Sequence, residues 1–196
     1  MRRIQIHHLT RYQYAETVTL LPHTLHLRPR DGHDIRVQSS KLDTSPDFRI
    51  HWKRDVYGNS VAVVSFLQAA TELSIASQVV VENYEEQPLD FVLEDYARSF
   101  PFDYDPAEQI DLSPYKCPVY DQDQAMVNEW IVDVCHPVNK VDTIAMLTTL
   151  NTNIANGHRY QVREEPGVQS PSQTLATGAG SCRDFATLFI ESCRHC

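Results

Sequence analysis

Apolar and polar positions change rhythm along this chain. Over the first eighty or so residues they tend to alternate in twos, and from Asp123 onward they recur in threes and fours. Ile4 to Tyr14 alternates loosely, and Thr24-Leu25-His26-Leu27-Arg28 places its leucines on one face of a strand. Arg49-Ile50-His51-Trp52 and Ser60 to Phe66 flank Tyr57-Gly58-Asn59 as the arms of a hairpin, and Leu73 to Val81 follows, rich in β-branched residues. These runs predict a β-rich, sandwich-like domain over residues 1–85. Pro88 to Pro118 holds five prolines and little periodicity, so residues 86–120 read as an ordered but irregular connection and a domain seam.

Helical spacing dominates residues 121–196. Asp123 to Cys135 carries Met126, Trp130, Ile131 and Val134 on one side and is stopped by Pro137. Asp142 caps a second helix that runs to about Asn156 with Ile144, Leu147, Leu150, Asn151 and Ile154 in step, and Gly157 ends it. Tyr160 and Val162 suggest a short extended piece before a turn at Pro171. A last helix starts near Ser181 or Cys182, with Phe185, Leu188, Phe189, Cys193 and Cys196 as its buried stripe. The fold class is therefore α+β, strands first and helices after.

Composition narrows the function classes. With 196 residues, 42% hydrophobic and 22% charged, the chain suits an ordinary soluble protein of one or two domains. Its formal charge of −9 disfavours nucleic acid and anionic membranes as partners, because both repel an acidic surface. No apolar run approaches a membrane span, and the Met-Arg-Arg-Ile-Gln-Ile start lacks a secretory signal, so a cytoplasmic protein is expected. Five cysteines without such a signal argue for reduced thiols rather than a disulfide framework. Cys193-Arg194-His195-Cys196 lacks the second ligand pair of a structural zinc site, and His7-His8 on a strand would point to opposite faces. No metal or organic cofactor is implied.

The chemistry concentrates at the last helix. Gly178 and Gly180 lead directly into Cys182, which then sits in the first helical turn beside Arg183. Unpaired amides and the positive end of the helix dipole favour negative charge there, and thiolate is the nucleophilic form of cysteine. The plainer reading is an inert buried thiol. A proton acceptor is harder to find. His195 lies thirteen residues along the same helix, roughly 20 Å away, beyond hydrogen-bond reach. His158, beside Gly157 in a loop, can approach only through the fold. Asp184, two residues after Cys182, reads as a capping or packing carboxylate rather than a triad acid. The chain stops at Cys196 without a C-cap or a following strand, so it reads as interrupted.

Gly180-Ser181-Cys182-Arg183-Asp184-Phe185-Ala186 and the Leu/Phe-rich helix after it resemble the nucleophile segment of the bacterial transglutaminase-like proteins. His8-Leu9-Thr10-Arg11-Tyr12-Gln13-Tyr14, Leu27-Arg28-Pro29-Arg30, Asp55-Val56-Tyr57-Gly58-Asn59, Phe100-Pro101-Phe102-Asp103-Tyr104-Asp105 and Asp111-Leu112-Ser113-Pro114-Tyr115 resemble, in that order, the region preceding the core in that family. The resemblance implies a papain-like core whose nucleophile maps onto Cys182 and whose catalytic His and Asp lie on strands after the cysteine helix, where no residue of this chain maps. It thus implies a C-terminally truncated form of a cysteine enzyme that acts on amide bonds of a protein or peptide through a thioester, resolved by water or an amine. Core surface left by missing strands would favour self-association into a homo-oligomer. The competing class is a non-catalytic protein- or peptide-binding module on the same scaffold.

Overall fold

The computed structural model describes residues 1–87, 92–135, 140–163 and 165–196, and the chain divides into two compact units, Met1–Phe91 and Val92–Cys196. The expected helix stop at Pro137 and the start of the proline-rich stretch at Pro88 lie outside the described residues.

The first unit is built from β1 (Arg2–Val18), β2 (His23–Leu25), β3 (Ile35–Ser45), β4 (Phe48–Arg54), β5 (Ser60–Phe66) and β6 (Ala70–Asn83). They form two antiparallel three-stranded sheets, ordered β1-β6-β3 and β2-β5-β4. The central strands hold the core. Leu73, Ile75, Ser77, Val79 and Val81 alternate along β6 and are all buried, and Val61, Ala62 and Val64 are buried on β5. The expected hairpin is β4 and β5, with Arg54 opposite Ser60. Its turn is tied by Asp55, whose carboxylate accepts from the Tyr57 amide at 2.9 Å, the Asn59 amide at 2.8 Å and the Asn59 side chain at 2.8 Å. Gly58 supplies the positive φ of 76° that this turn needs.

Strand β3 is a finding that alternation does not announce. Its register against β6 slips between Val37 and Ser39. The less exposed positions therefore move from Ile35 and Val37 to Ser40, Leu42 and Thr44, which breaks the period of two.

The second unit contains β7 (Ser99–Phe100), α1 (Pro106–Asp111), α2 (Ser113–Lys116), α3 (Gln124–Cys135), β8 (Val141–Asp142), α4 (Thr143–Gly157), β9 (Arg159–Tyr160), α5 (Pro171–Thr177), β10 (Ala179–Gly180) and α6 (Cys182–His195). Val127, Ile131, Met146 and Leu150 form its core, with Trp130, Phe189 and Cys193 packed against them. The helices lie where their spacing places them, and Ile131, Leu150 and Ile154 are buried as expected, but the N-terminal parts of the two buried stripes are rotated. Val127 rather than Met126 faces inward on α3, and Met146 rather than Ile144 on α4. Asp142 caps α4 as expected, accepting from the Ala145 amide at 2.8 Å.

Two short helices, α1 and α2, stand within the proline-rich stretch that reads as irregular. Each begins with a proline in its first turn, where the missing N–H has no helical partner to lose. The Pro171 turn is likewise the start of α5: Ser170 caps it, Gln173 completes a capping box, and Gly178 ends it at φ 57°. Among the described residues, no helix is long and apolar enough to cross a membrane.

Candidate active site

The approach to Cys182 is clamped from both sides of the chain. Ala179 and Gly180 pair in parallel with Arg159 and Tyr160, through Arg159 N–H to Gly178 O and Gln161 N–H to Gly180 O, both 2.8 Å. Ser181 then caps α6, and Cys182 is its first residue, exposed and without a hydrogen-bond or ion-pair partner among the described residues. The predicted position is thus observed.

Asp184 holds this turn. It is fully buried and accepts four hydrogen bonds: the Ser181 amide at 2.7 Å and the Ser181 hydroxyl at 2.8 Å on one oxygen, the Gln169 amide at 2.8 Å and Arg163 Nη1 at 2.9 Å on the other. Burial alone would raise its pKa, but these donors outweigh it and bring the carboxyl down to about 2. Its oxygens are occupied, so the capping role is the one the geometry supports, as expected. Gly180 belongs to the same device. A Cβ there would stand 2.9 Å from the Asp184 Cβ, and 3.2 Å from both Gln169 Oε1 and the Phe185 ring. The glycine is required by close packing.

The buried side of α6 differs from the expected stripe. Asp184, Leu188, Glu191 and Ser192 are buried, while Phe185, Phe189 and Cys193 are half-buried and Cys196 is exposed. Two carboxylates enter the interior because each meets donors. Glu191 accepts from the Val119 and Tyr120 amides at 2.9 and 3.2 Å and from Arg194 at 2.6 Å, and Arg194 also donates to the Tyr115 carbonyl at 3.1 Å. Residues 114–120 are thereby tied to the cysteine helix. Arg163, Gln169, Glu191 and Arg194 were not singled out by sequence reasoning. The only local signal was the spacing of Ser181 and Asp184, which matches a capping box.

Among the described residues, none of the other candidates is hydrogen-bonded or ion-paired to the Cys182 side chain. His158 caps the end of α4, donates Nδ1–H to the Ile154 carbonyl at 3.2 Å, and meets the rings of Trp130 and Phe185 edge-on at 6.5 and 5.9 Å. With Trp130, Asn153, Leu175 and Gly178 it lines a cavity of about 820 Å³ that Cys182 does not line. His195 closes the far end of α6. Burial, with Cys135 nearby, pushes the Cys193 thiol up to about 11, and burial also raises that of Cys135. Cys117 is exposed at the end of α2. Among the described residues, no group of three or more His, Cys, Asp or Glu side chains is placed to hold a metal ion.

Comparison with known proteins supplies the deciding observation. Residues 4–82 match the bacterial transglutaminase-like N-terminal region, and residues 133–196 match the transglutaminase-like superfamily. The chain belongs to the bacterial transglutaminase-like family. A crystal structure of a candidate cysteine protease from Cytophaga hutchinsonii shares the fold of this transglutaminase-like chain, with a TM-score of 0.69 and 18% identity, over 98% of the present chain. The transglutaminase-like chain spans 63% of the length of that structure. No protein of curated function matches it in sequence. The fold is thus α+β, a β-rich domain followed by helices of a papain-like core.

Proposed function

We propose that the protein is an acyl-transfer enzyme acting on amide bonds of a protein or peptide, with Cys182 as its nucleophile. The observation that carries this reading is the exposed thiol of Cys182 on the first residue of α6, in a turn clamped by Asp184. The first turn of a helix is the end where its amides are unpaired and its dipole is positive, and thiolate is the nucleophilic form of cysteine. Cys182 Sγ attacks the amide carbonyl carbon, the C–N bond breaks, and the amine departs with a proton as a thioester forms. Water then releases an acid, or a second amine forms a new amide.

The sulfur's proton acceptor and the leaving amine's proton donor have no counterpart bonded to Cys182 among the described residues. Both roles fall to one histidine, oriented by an aspartate, on strands that follow α6 in a longer form of the protein.

Alkylation and turnover test the two halves separately. Iodoacetamide mapped by mass spectrometry should label Cys182 faster than exposed Cys117, and both faster than Cys135 and Cys193. Equal labelling of Cys182 and Cys117 would remove the case for an activated thiol. Amide hydrolysis and amine incorporation should be about a hundred- to ten-thousand-fold faster in a form extended by the downstream gene sequence than in these 196 residues, and lost in Cys182→Ala. Turnover that survives Cys182→Ala would overturn the assignment. Full turnover by the short chain would place the base inside it, with His158 first to test. An extended form without turnover that still retains peptides would favour a binding module.

A further inference from the structure

The first unit carries a basic pocket with no part in the chemistry above. Two adjoining cavities, of about 500 and 160 Å³, share Arg28, Arg54 and Ser60 in their walls. The larger adds Ser40, Trp52 and Lys53. The smaller adds Arg30 and one carboxylate, Asp31. Residues 1–91 hold ten Lys and Arg against eleven Asp and Glu, and residues 92–196 seven against fifteen. Four of the ten cations of a nearly neutral unit thus line one place.

Two of the four cations are held in position by backbone carbonyls rather than by carboxylates. Arg30 donates to the Tyr57 carbonyl at 2.9 Å and Arg54 to the Gly58 carbonyl at 3.1 Å, both in the turn that Asp55 ties. Backbone carbonyls fix these guanidiniums while leaving their other N–H groups open. Asp31 stands 3.9 Å from Arg28 and accepts the Val37 amide at 2.7 Å. Lys53 has no hydrogen-bond or ion-pair partner among the described residues. In the smaller cavity three guanidiniums facing one carboxylate leave two positive charges in excess. A fixed fork of N–H donors suits an oxyanion better than any other ligand.

We propose that this pocket binds a compact dianion of the phosphoryl type, with Trp52 beside the group that carries it. A dianion matches the excess charge of the smaller cavity, which one carboxylate would leave half compensated. Trp52, 52% exposed in the wall of the larger cavity, offers a flat apolar surface to the remainder of an ester.

Isothermal titration of the full chain at fixed ionic strength tests this with inorganic phosphate, phenyl phosphate, acetate and a poly-glutamate peptide. Saturable binding of phosphate and phenyl phosphate, with acetate silent, is expected. Arg28→Gln and Arg30→Gln should each weaken it about three- to tenfold, as for loss of one charge-assisted contact. Arg49→Gln, on β4 outside both cavities, should change nothing. Trp52→Phe should weaken phenyl phosphate more than inorganic phosphate if the natural ligand is an ester, and both equally if it is the free ion. Should circular dichroism show Arg28→Gln unfolded, Arg30→Gln decides, because Arg30 is exposed. Silent phosphates, equal binding of acetate, binding of the peptide alone, or equal loss in Arg49→Gln would each overturn the proposal.

Discussion

The two units bury different kinds of residue. In the β-rich unit the interior is almost wholly apolar, Val61, Ala62 and Val64 on one central strand and Leu73, Ile75, Val79 and Val81 on the other. The helical unit buries Asp123, Asp184 and Glu191 beside its aliphatic core. Each of these carboxylates accepts a backbone amide from another segment: Ser172 for Asp123, Gln169 for Asp184, and Val119 and Tyr120 for Glu191. An apolar core is tolerant of how its chains approach, whereas a buried carboxylate is stable only where its donors are. The helical unit uses that intolerance to hold loops against helices, and the turn at Cys182 is one of the results.

The comparison breaks most sharply at its two central side chains. Asp184→Ala leaves Arg163 and the Gln169 and Ser181 amides without their acceptor, and should cost about 3–5 kcal/mol in urea unfolding. Leu73→Ala, fully buried in the β-rich unit, should cost about 2–5 kcal/mol through its cavity. The two differ in reach. Only Asp184→Ala should also change the labelling rate of Cys182, and equal labelling rates in both variants would contradict the role given to Asp184.

Acid should separate the units next. Asp184, Asp123 and Glu191 all have pKa values lowered in the folded state: burial raises each, and hydrogen bonds more than offset it. A carboxyl depressed on folding contributes stability that is complete above its unfolded value, about 4, and is lost as pH falls through the folded one. For Asp184 that folded value is about 2. Trp130 reports on the helical unit and Trp52 on the β-rich one, so thermal melts of Trp52→Phe and Trp130→Phe between about pH 5 and 2 follow each unit alone. The melting temperature seen by Trp130 should fall more steeply. Parallel curves would show that the buried carboxylates are not the difference.

Glycines give the finer contrasts. Gly180→Ala forces a Cβ against Asp184 and should cost about 1–3 kcal/mol, with a change in Cys182 labelling. Gly178→Ala and Gly58→Ala each place alanine at positive φ, 57° and 76°, with nothing within 4 Å of the new Cβ. Each should cost about 1–2 kcal/mol by backbone strain alone, and the two units should then respond alike. A loss at Gly178 well above that at Gly58 would mean that the β9 and β10 pairing amplifies the strain.

What the sequence determined by itself is local. Gly178, Gly180 and the apolar spacing after them place Cys182 at a helix start, Asp142 marks the start of α4, and the strands around Gly58 announce a hairpin, because caps, positive φ and periodicity act within a few residues. Ser170-Pro171-Ser172-Gln173 and Gly178 mark α5 equally well, although only a turn was read there. Periodicity placed Ile131, Leu150, Ile154 and Leu188 inside, as they are, but tertiary structure set the rest of each buried face. Val127 and Met146 turn inward in place of Met126 and Ile144, and Asp184 and Glu191 are buried, because donors from residues 163, 169, 119 and 120 arrive through the fold. Hydrophobic spacing treats a carboxylate as a surface residue, and no local pattern records a partner some seventy residues away. The slip in β3 is hidden for the same reason, since a bulge is defined by the strand opposite it and not by its own residues.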